Sequence, residues 1–236
     1  FINGLRYTDE ITITVAQMVL AGKVNKDLVK LIEKNGGKAI GLSGIDGSLI
    51  KAKKLTNDID LGFVGEITSV NTELLNLSMN SGYIPVVSSI AIGENDTNSY
   101  NINADTCASK IASALKAEKL ILLTDVPGVM TGDPRKFENV TLLSNISYEE
   151  AIEMAYYGAS VIHPKTLQPL KQKNIPFYVK SFVEPMKPGT KVGISDKNQS
   201  EESYILKENQ VLMNISTRDF SFIAENKDAQ IHFIHR

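Results

Sequence analysis

The sequence is poor in residues that form cross-links or bind metals. Among its 236 residues there is one Cys, there are three His, and Trp is absent. The single Cys107 cannot form an internal disulfide, and three scattered histidines beside it do not make a zinc cluster. We therefore exclude a disulfide scaffold and a metal site of protein ligands, and the expected compartment is a reducing cytoplasm.

Long hydrophobic runs and an excess of positive charge are missing as well. The apolar stretch 84–92 is interrupted by Pro85, Ser88 and Ser89 and falls short of the roughly 20 residues that cross a bilayer. The net charge is −2, and no Lys/Arg-rich stripe is present. Neither a membrane nor a nucleic acid is therefore the expected partner. With 42% hydrophobic residues, the chain has the composition of a globular protein.

Two common catalytic motifs are absent. No G-x-x-x-x-G-K-[ST] run occurs, which excludes a P-loop protein, and no G-x-S-x-G elbow supports a hydrolase triad. The glycine-rich stretches Gly36-Gly37-Lys38 and 41–44 ("GLSG") lie where a helix or strand is expected to end. Structural turns account for them best.

Helices and short apolar runs alternate in the first half of the chain. Asp9 is a candidate N-cap of a helix that runs to about Ala21, and a second helix is predicted over residues 26–35. Residues 44–55 read as a β-hairpin that turns at Asp46-Gly47, and residues 83–92 read as one buried strand.

The central region reads as a helix followed by a strand. Apolar residues recur at helical spacing from Ala104 to Leu115, and residues 119–126 then form a nearly continuous apolar run. Such a run is typical of a parallel strand that is covered on both faces. Further along, Ser147 and Glu150 have the spacing of a capping box. This alternation predicts an α/β fold.

Candidate site residues follow from the expected strand ends. Thr124 and Asp125 occupy the carboxyl end of the central strand, where ligands of open α/β sheets collect. The following loop is either a plain turn or the lip of a ligand site, and the local pattern leaves both open. Upstream, Asn101 and Asn103 point to one side of an extended segment, and Asp105 lies in the first turn of the next helix. That carboxylate either caps the helix or orients cationic groups around a phosphoryl group.

Residues 1 to about 130 resemble the N-acetylglutamate kinase branch of the amino acid kinase family. The resemblance rests on "NGLRYTD", "MVLAGKVNKDLV", "GGKAIGLSGIDG", "DLGFVGEITSVN", "GYIPVVSSIAIGE", "YNINADT" and "KAEKLILLTDVPGV". It implies that Arg6 binds a carboxylate of the amino acid substrate and that Asn101 contacts its polar end. It also implies that Asp105 organises the catalytic lysines. The Arg6 role suits a guanidinium, which pairs with a carboxylate in a bidentate fashion, although a surface arginine is the alternative.

Residues 131–193 resemble a different branch of that family, the aspartokinases. The motifs are a T-x-D-P-R loop, an S-Y-E-E-A helix, a Y-G-A-x-V-I-H-P turn and a P-G-T strand. The resemblance implies a nucleotide site lined by six residues: Thr124, Asp125, Met130, Arg135, Ser160 and Val161. Ser160 departs from the pattern, since many aspartokinases have Lys there.

The resemblance implies a three-layer α/β/α sandwich over residues 1–195, with a substrate lobe at 1–123 and a nucleotide lobe at 124–195. A linker over 196–202 and the start of an ACT-like regulatory domain over 203–236 would follow. We expect the sequence to be a chimera, or a misassembled sequence, whose two parts are joined within "LTDVPGV". We also expect it to lack the family's first strand, with its Lys-x-Gly-Gly loop, and a second catalytic lysine.

The activity implied is the ATP- and Mg²⁺-dependent phosphorylation of the side-chain carboxylate of N-acetylglutamate, by a cytoplasmic homo-oligomer. Aspartate kinase activity and an inactive nucleotide- or effector-binding fragment are the alternatives.

Overall fold

Strands and helices alternate along the part of the chain that the computed structural model describes, residues 6–133, 136–157 and 164–194. The α-helices there are α1 (Glu10–Ala16), α2 (Asn25–Lys34), α3 (Glu73–Asn80), α4 (Ala104–Leu115), α5 (Tyr148–Tyr157) and α6 (Pro164–Lys173). The strands are β1 (Ala39–Ser43), β2 (Ile50–Lys54), β3 (Gly65–Val70), β4 (Ile84–Ser88), β5 (Ile90–Gly93), β6 (Ser99–Asn101), β7 (Leu120–Thr124), β8 (Asn145–Ser147), β9 (Phe177–Ser181) and β10 (Thr190–Gly193). The predicted α/β class is confirmed.

The first two predicted helices are one continuous helical run. Asp9 caps its start, as predicted, because its carboxylate accepts a hydrogen bond from the Thr12 N–H at 2.7 Å. The run then passes through a π-helical segment, Gln17–Val24, directly into α2. The prediction of a break after Ala21 is therefore wrong, because the wider π-helical turns carry the backbone through Gly22 without leaving helical geometry.

The strands form three sheets. β1 and β4 make a parallel pair, a second sheet has the order β3-β2-β5-β6, and a third has the order β7-β9-β10-β8. In the third sheet β7 and β9 run parallel, with Leu120 opposite Phe177 and Thr124 opposite Ser181.

Two strand predictions are wrong. Residues 44–55 are not a hairpin, because β1 pairs with β4 while β2 pairs antiparallel with β3. Only the turn at Asp46-Gly47 is found, with Gly47 at φ +59°. Residues 83–92 are two strands, β4 and β5, in different sheets. A single residue, Ser89, separates the two strands, and apolar residues lie on either side of it, so the sequence pattern gives no sign of the change of partner.

Helix α4 connects two hydrophobic cores. Cys107, near its start, belongs to a core that also contains Leu49, Ile50 and Leu75. Ala112, near its end, belongs to the other core, built mainly from residues 120–192. Helix α4 thus packs into both cores, and Asp105 lies in its first turn.

The proposed lobe boundaries remain predictions, and the proposed ACT-like segment lies outside the described residues. In the part that is described, no helix is long and apolar enough to span a membrane.

Candidate functional site

The first turn of α4 and the end of β7 lie at the same edge of the domain. Four residues, Lys116 to Lys119, join the end of α4 to the start of β7, and the two elements are in contact. So short a connection makes the helix run back along the strand. Their lengths are similar, about 18 Å for twelve helical residues and about 17 Å for five strand residues. Asp105 and Thr124 are therefore at matching ends.

Asp105 is not the cap of α4. That role belongs to Asn103, whose side-chain oxygen accepts hydrogen bonds from the Thr106 N–H at 2.9 Å and the Thr106 hydroxyl at 3.1 Å. Asp105 follows two positions later and is half-buried. Its carboxylate lies in the first turn, where the helix macrodipole favours a negative charge. Asn103 thus fills the capping function, and the role of Asp105 in orienting cationic groups stays a prediction.

Asn101 contacts Thr8, which lies two positions after Arg6 in the sequence. The Asn101 side-chain amide donates a hydrogen bond to the Thr8 hydroxyl at 3.3 Å, and both residues are buried. Thr8 is two positions after Arg6, and the Arg6 side chain is exposed. The guanidinium can therefore reach solvent or a ligand, while the segment that carries it is anchored in the fold.

A glycine allows this anchoring. The Thr8 N–H donates to the Leu61 carbonyl at 3.0 Å, and the Phe63 N–H donates to the Thr8 carbonyl at 2.7 Å. Between them Gly62 has φ +71°, and a Cβ at this position would lie 2.1 Å from the Thr8 carbonyl oxygen. Only glycine fits, since both its backbone conformation and the close approach exclude a side chain.

The ends of β7 and β9 form a second group of polar residues. The Thr124 hydroxyl donates to the Asp125 carboxylate at 3.0 Å, and Asp125 is exposed. On the neighbouring strand, the Ser181 hydroxyl accepts from the N–H groups of Val183 and Glu184, each at 3.2 Å. Two adjacent parallel strands thus end in hydroxyl side chains at the edge where ligands of α/β sheets bind.

The loop after β7 is held against the sheet. The Val129 N–H donates to the Thr190 hydroxyl at 2.8 Å, and that hydroxyl also lies 3.3 Å from the Val129 carbonyl, to which it donates. Met130 forms an antiparallel bridge with Leu142. At Gly128 a Cβ would lie 2.6 Å from the Thr190 hydroxyl. The loop therefore has a fixed shape rather than that of an unsupported turn.

Two ionisable groups beside the site stay protonated at neutral pH. Burial raises the pKa of the Cys107 thiol to about 12, which makes it a poor nucleophile. Burial also raises the pKa of Tyr100, as does the Asp96 carboxylate, to which its hydroxyl donates at 2.9 Å. Covalent catalysis by the thiol is not supported.

Of the nine predicted site residues, the structure describes six. Asn101 is hydrogen-bonded to Thr8, two positions after Arg6, and Asp105 lies in the first turn of α4. Thr124, Asp125 and Met130 lie at or after the end of β7. The other three, Arg135, Ser160 and Val161, lie outside the described residues, and the roles of all nine remain proposals.

Sequence reasoning missed three residues that shape the site: Thr8, Thr190 and Ser181. The first two lie inside quoted motifs, "NGLRYTD" and P-G-T, but their partners are far away in sequence. Ser181 gives no local signal, because its position beside Thr124 follows only from the pairing of β7 with β9.

The chain is similar to proteins of the amino acid kinase family. A sequence profile described as "Amino acid kinase family" matches residues 1–181. An acetylglutamate kinase from Clostridium beijerinckii is 66% identical over 158 residues, which are 67% of this chain and 54% of that protein. Another from Clostridium kluyveri is 62% identical over 150 residues, 64% of this chain and 52% of that protein. The chain thus spans about half the length of the curated relatives it matches.

Solved structures share the fold. Escherichia coli aspartokinase III in complex with aspartate and ADP has a TM-score of 0.59 at 26% identity, over 72% of this chain and 38% of that one. N-acetylglutamate synthase from Neisseria gonorrhoeae, complexed with coenzyme A and N-acetyl-glutamate, has a TM-score of 0.68 at 20% identity, over 83% of this chain and 47% of that one. The second likeness concerns the fold alone.

Proposed function

The chain belongs to the amino acid kinase family, and on that premise we propose that it takes part in phosphorylating the side-chain carboxylate of N-acetyl-L-glutamate. The phosphoryl donor is ATP, and the product is N-acetylglutamyl 5-phosphate, an intermediate of arginine biosynthesis. The observation that carries the proposal is the 66% identity to an acetylglutamate kinase over 158 residues. The exposure of the Arg6 side chain and the place of Asp105 in the first turn of α4 support it.

In the proposed substrate site, the Arg6 guanidinium binds a carboxylate of the amino acid. Its planar fork of donors suits two parallel hydrogen bonds to the two carboxylate oxygens. Asn101 would contact the polar end of the substrate. Its side-chain amide also donates a hydrogen bond of 3.3 Å to Thr8, and this bond holds the segment that carries Arg6 in place. Burial of Asn101 and Thr8 makes this part of the site rigid before substrate arrives.

The proposed reaction needs no general base. A side-chain carboxylate with a pKa near 4.3 is already ionised at neutral pH. It attacks the γ-phosphorus in line with the bond to ADP, so the new O–P bond forms as the old one breaks. The role of Asp105 is to orient the cationic groups that neutralise charge on the transferred phosphoryl.

Thr124, Asp125 and the fixed loop through Met130 would line the nucleotide side of the same edge. Arg135, Ser160 and Val161 belong to this proposal by resemblance. Mg²⁺ bound with ATP supplies further charge neutralisation. Among the described residues no group of three or more His, Cys, Asp or Glu side chains could hold a metal, and a magnesium ion bound largely through nucleotide phosphates fits this donor set.

We place this activity in the cytoplasm and in a homo-oligomer. An exposed apolar stripe on the first helical run supports the second point: Ile11 is 77%, Val15 50% and Met18 68% exposed. Apolar patches of this kind mark protein interfaces. Sedimentation velocity of the wild type and of Ile11→Glu tests it, with loss of the larger species expected for the variant only.

Aspartate kinase is the second candidate, because residues 131–193 carry its motifs and aspartokinase III shares the fold at 26% identity. ADP release measured in parallel with N-acetyl-L-glutamate and L-aspartate separates the two. We expect turnover with the first substrate, and turnover with aspartate alone would overturn the proposal. Calorimetric titration with ATP and N-acetyl-L-glutamate completes the test. Binding without any turnover would support the third possibility, a nucleotide- or effector-binding fragment.

A further inference from the structure

A groove of about 320 Å³ lies beside the C-terminal end of α4. It is lined by the edge strand β3, by the second half of α4 and by the last residue of α6. Helix α4 contacts both of the other elements. We call it the lysine groove, because its polar lining consists of three lysines and three hydroxyl residues: Lys110, Lys116, Lys173, Thr68, Ser69 and Ser113.

The positive charge of the lysine groove is not balanced by the protein. In the part of the chain that the structure describes, no Asp or Glu belongs to the lining. Neither an ion pair nor a side-chain hydrogen bond joins any of the three lysines to another residue within the described ranges. Lys171, by contrast, lies two positions before Lys173 on α6 and is paired with Glu149 at 2.6 Å. Because neighbouring like charges repel each other, the groove favours an anion that neutralises them.

A β-bulge brings two hydroxyl side chains to the same groove. Ser69 of β3 lies opposite Lys51 and Ile67 lies opposite Ala52, so Thr68 is the extra residue of the bulge. Consecutive side chains of a regular strand point to opposite faces. Thr68 and Ser69 nevertheless both line the groove, and both are exposed. The bulge thus re-aims one side chain, as bulges at sheet edges commonly do.

Lys116 has a backbone conformation that is rare for lysine. It is the C-cap of α4 and has a φ of +52°. Glycine usually occupies this left-handed position, because it has no Cβ. The residue after α6 has a similar φ of +53°, but it is Asn174, a residue type that tolerates this conformation. A strained lysine beside two other lysines indicates that its side chain is used at this place.

We propose that the lysine groove binds a small molecule that carries a diphosphate group. Lysine is a common phosphate-binding residue, and the three hydroxyls can donate hydrogen bonds to further phosphate oxygens. One phosphate monoester has a charge of about −1.5 to −2 at pH 7, so two linked phosphoryl groups match three ammonium groups better than one does. The volume of the groove lies near the lower end of the range for small-molecule sites, roughly 300 Å³, which favours a metabolite over a protein partner.

The lysine groove is separate from the proposed catalytic site. Lys116 follows Asp105 by eleven positions, which is about 16 Å along the axis of α4. The two sites therefore lie at opposite ends of one helix. Binding of a diphosphate group does not depend on the proposed kinase activity, and failure of either proposal would leave the other standing.

Acetylation of lysines, followed residue by residue by mass spectrometry on the full chain, tests the proposal. The probes are pyrophosphate and ADP, and sodium chloride at equal ionic strength controls for screening of charge. We expect pyrophosphate to slow acetylation of the three groove lysines about fivefold or more, because phosphate oxygens engage their ammonium groups. Exposed Lys34, in the last turn of α2 and outside the groove, should react at the same rate throughout. Protection by ADP as well would mean that the groove accepts a diphosphate group within a nucleotide.

Two variants complete the test, with Lys34→Met as the matched control. Lys173→Met removes one cation, and Thr68→Val removes one hydroxyl while keeping the shape of the side chain. Each should raise the pyrophosphate concentration that half-protects Lys110 and Lys116 about tenfold, whereas the control should leave it unchanged. Circular dichroism melts show whether each variant is folded.

Three results would overturn the proposal. The first is that pyrophosphate protects none of the groove lysines. The second is that Lys34 is protected as strongly as they are, or that sodium chloride protects them equally, because either would show only unspecific screening. The third is an unchanged half-protecting concentration in both folded variants.

Discussion

The Ser109 hydroxyl of α4 donates a hydrogen bond of 2.7 Å to the Thr166 carbonyl of α6, and both residues are fully buried. The bond joins residues 57 positions apart, one from each of the two segments whose sequences resemble different branches of the family. Ala112 and Leu120 from the first segment also pack in one core with Leu167, Leu170 and Phe177 from the second. Whatever the origin of the junction within "LTDVPGV", the two segments fold as one structure.

Ser109→Ala should therefore destabilise the whole domain. Removing the donor leaves the buried Thr166 carbonyl without this partner, which costs about 1–3 kcal/mol. The measurement is the free energy of unfolding in urea. Ser113→Ala, one turn further along α4, is the matched control and should change it by less than about 0.5 kcal/mol. Equal effects of the two substitutions would show that the bond between α4 and α6 contributes nothing specific.

Asp105→Asn should lower turnover strongly while leaving the fold intact. The substitution keeps the size of the side chain but removes the charge that would orient the catalytic cations, and loss of one preorganised electrostatic group costs about 10²–10³-fold in kcat. ADP release with N-acetyl-L-glutamate is the measurement. Because Asn103 caps α4, the helix should still form in the variant, and circular dichroism checks this. Exposed Glu118 provides the control, and Glu118→Gln should retain activity. Full activity of Asp105→Asn would remove Asp105 from the mechanism.

Arg6→Lys should weaken binding of the amino acid and leave the nucleotide site unaffected. Lysine keeps the charge but loses the planar fork, so a bidentate contact becomes a single one. A loss of about 1.4–2.8 kcal/mol corresponds to a 10- to 100-fold rise in the KM for N-acetyl-L-glutamate. The KM for ATP should stay within a factor of two. A parallel rise in both constants, or the same result from Lys110→Met at an exposed cation elsewhere, would contradict a specific role for Arg6.

Gly62→Ala should be much more harmful than Gly36→Ala. Both glycines have positive φ, +71° and +83°, so both substitutions cost about 1–3 kcal/mol of backbone strain. At Gly36 nothing lies within 4 Å of the added Cβ, whereas at Gly62 the Thr8 carbonyl oxygen lies 2.1 Å away. Only Gly62→Ala should therefore displace the Arg6 segment and raise the KM for the amino acid. Equal melting temperatures of the two variants would argue against the close approach.

Stability should fall in alkaline solution because of two buried groups. Burial raises the pKa of Cys107 and that of Tyr148 to about 12, from ordinary values of 9.0 and 10.0. A raised folded-state pKa stabilises the fold below the unfolded-state value, and this stabilisation is lost as pH rises towards 12. Urea midpoints should thus be level between pH 7 and 8.5 and fall above pH 9.

Cys107→Ala separates the two contributions to this pH dependence. The variant should retain only the later fall above pH 10, which comes from Tyr148, whose hydroxyl donates to the Ile175 carbonyl. An unchanged onset of the fall near pH 9 in Cys107→Ala would exclude the thiol as its cause.

Local interactions account for what the sequence alone determined. The Asp9 cap, the capping box of Ser147 and Glu150 and the glycine that ends α2 were all predicted, and each is found. In each case the interacting groups lie within four residues, so spacing in the sequence defines the geometry. The strand β7 was predictable for a similar reason, since its apolar run is continuous. The predicted cover on both of its faces is wrong for the described residues, because Ile121 and Leu123 are 45% and 62% exposed. The positions of Asp105 in the first turn of a helix and of Thr124 at a strand end followed directly.

Only the tertiary structure decided which strands pair and which site residues meet. The Asn101–Thr8 hydrogen bond spans 93 positions, and the Val129–Thr190 bond spans 61. The assignment of β4 and β5 to different sheets likewise depends on partners distant in sequence. The hydrophobic pattern of a sequence indicates which residues tend to be buried, but it does not indicate which segment of the chain packs against them. The fixed loop after β7 and the anchored Arg6 segment therefore become visible only when distant segments are packed together.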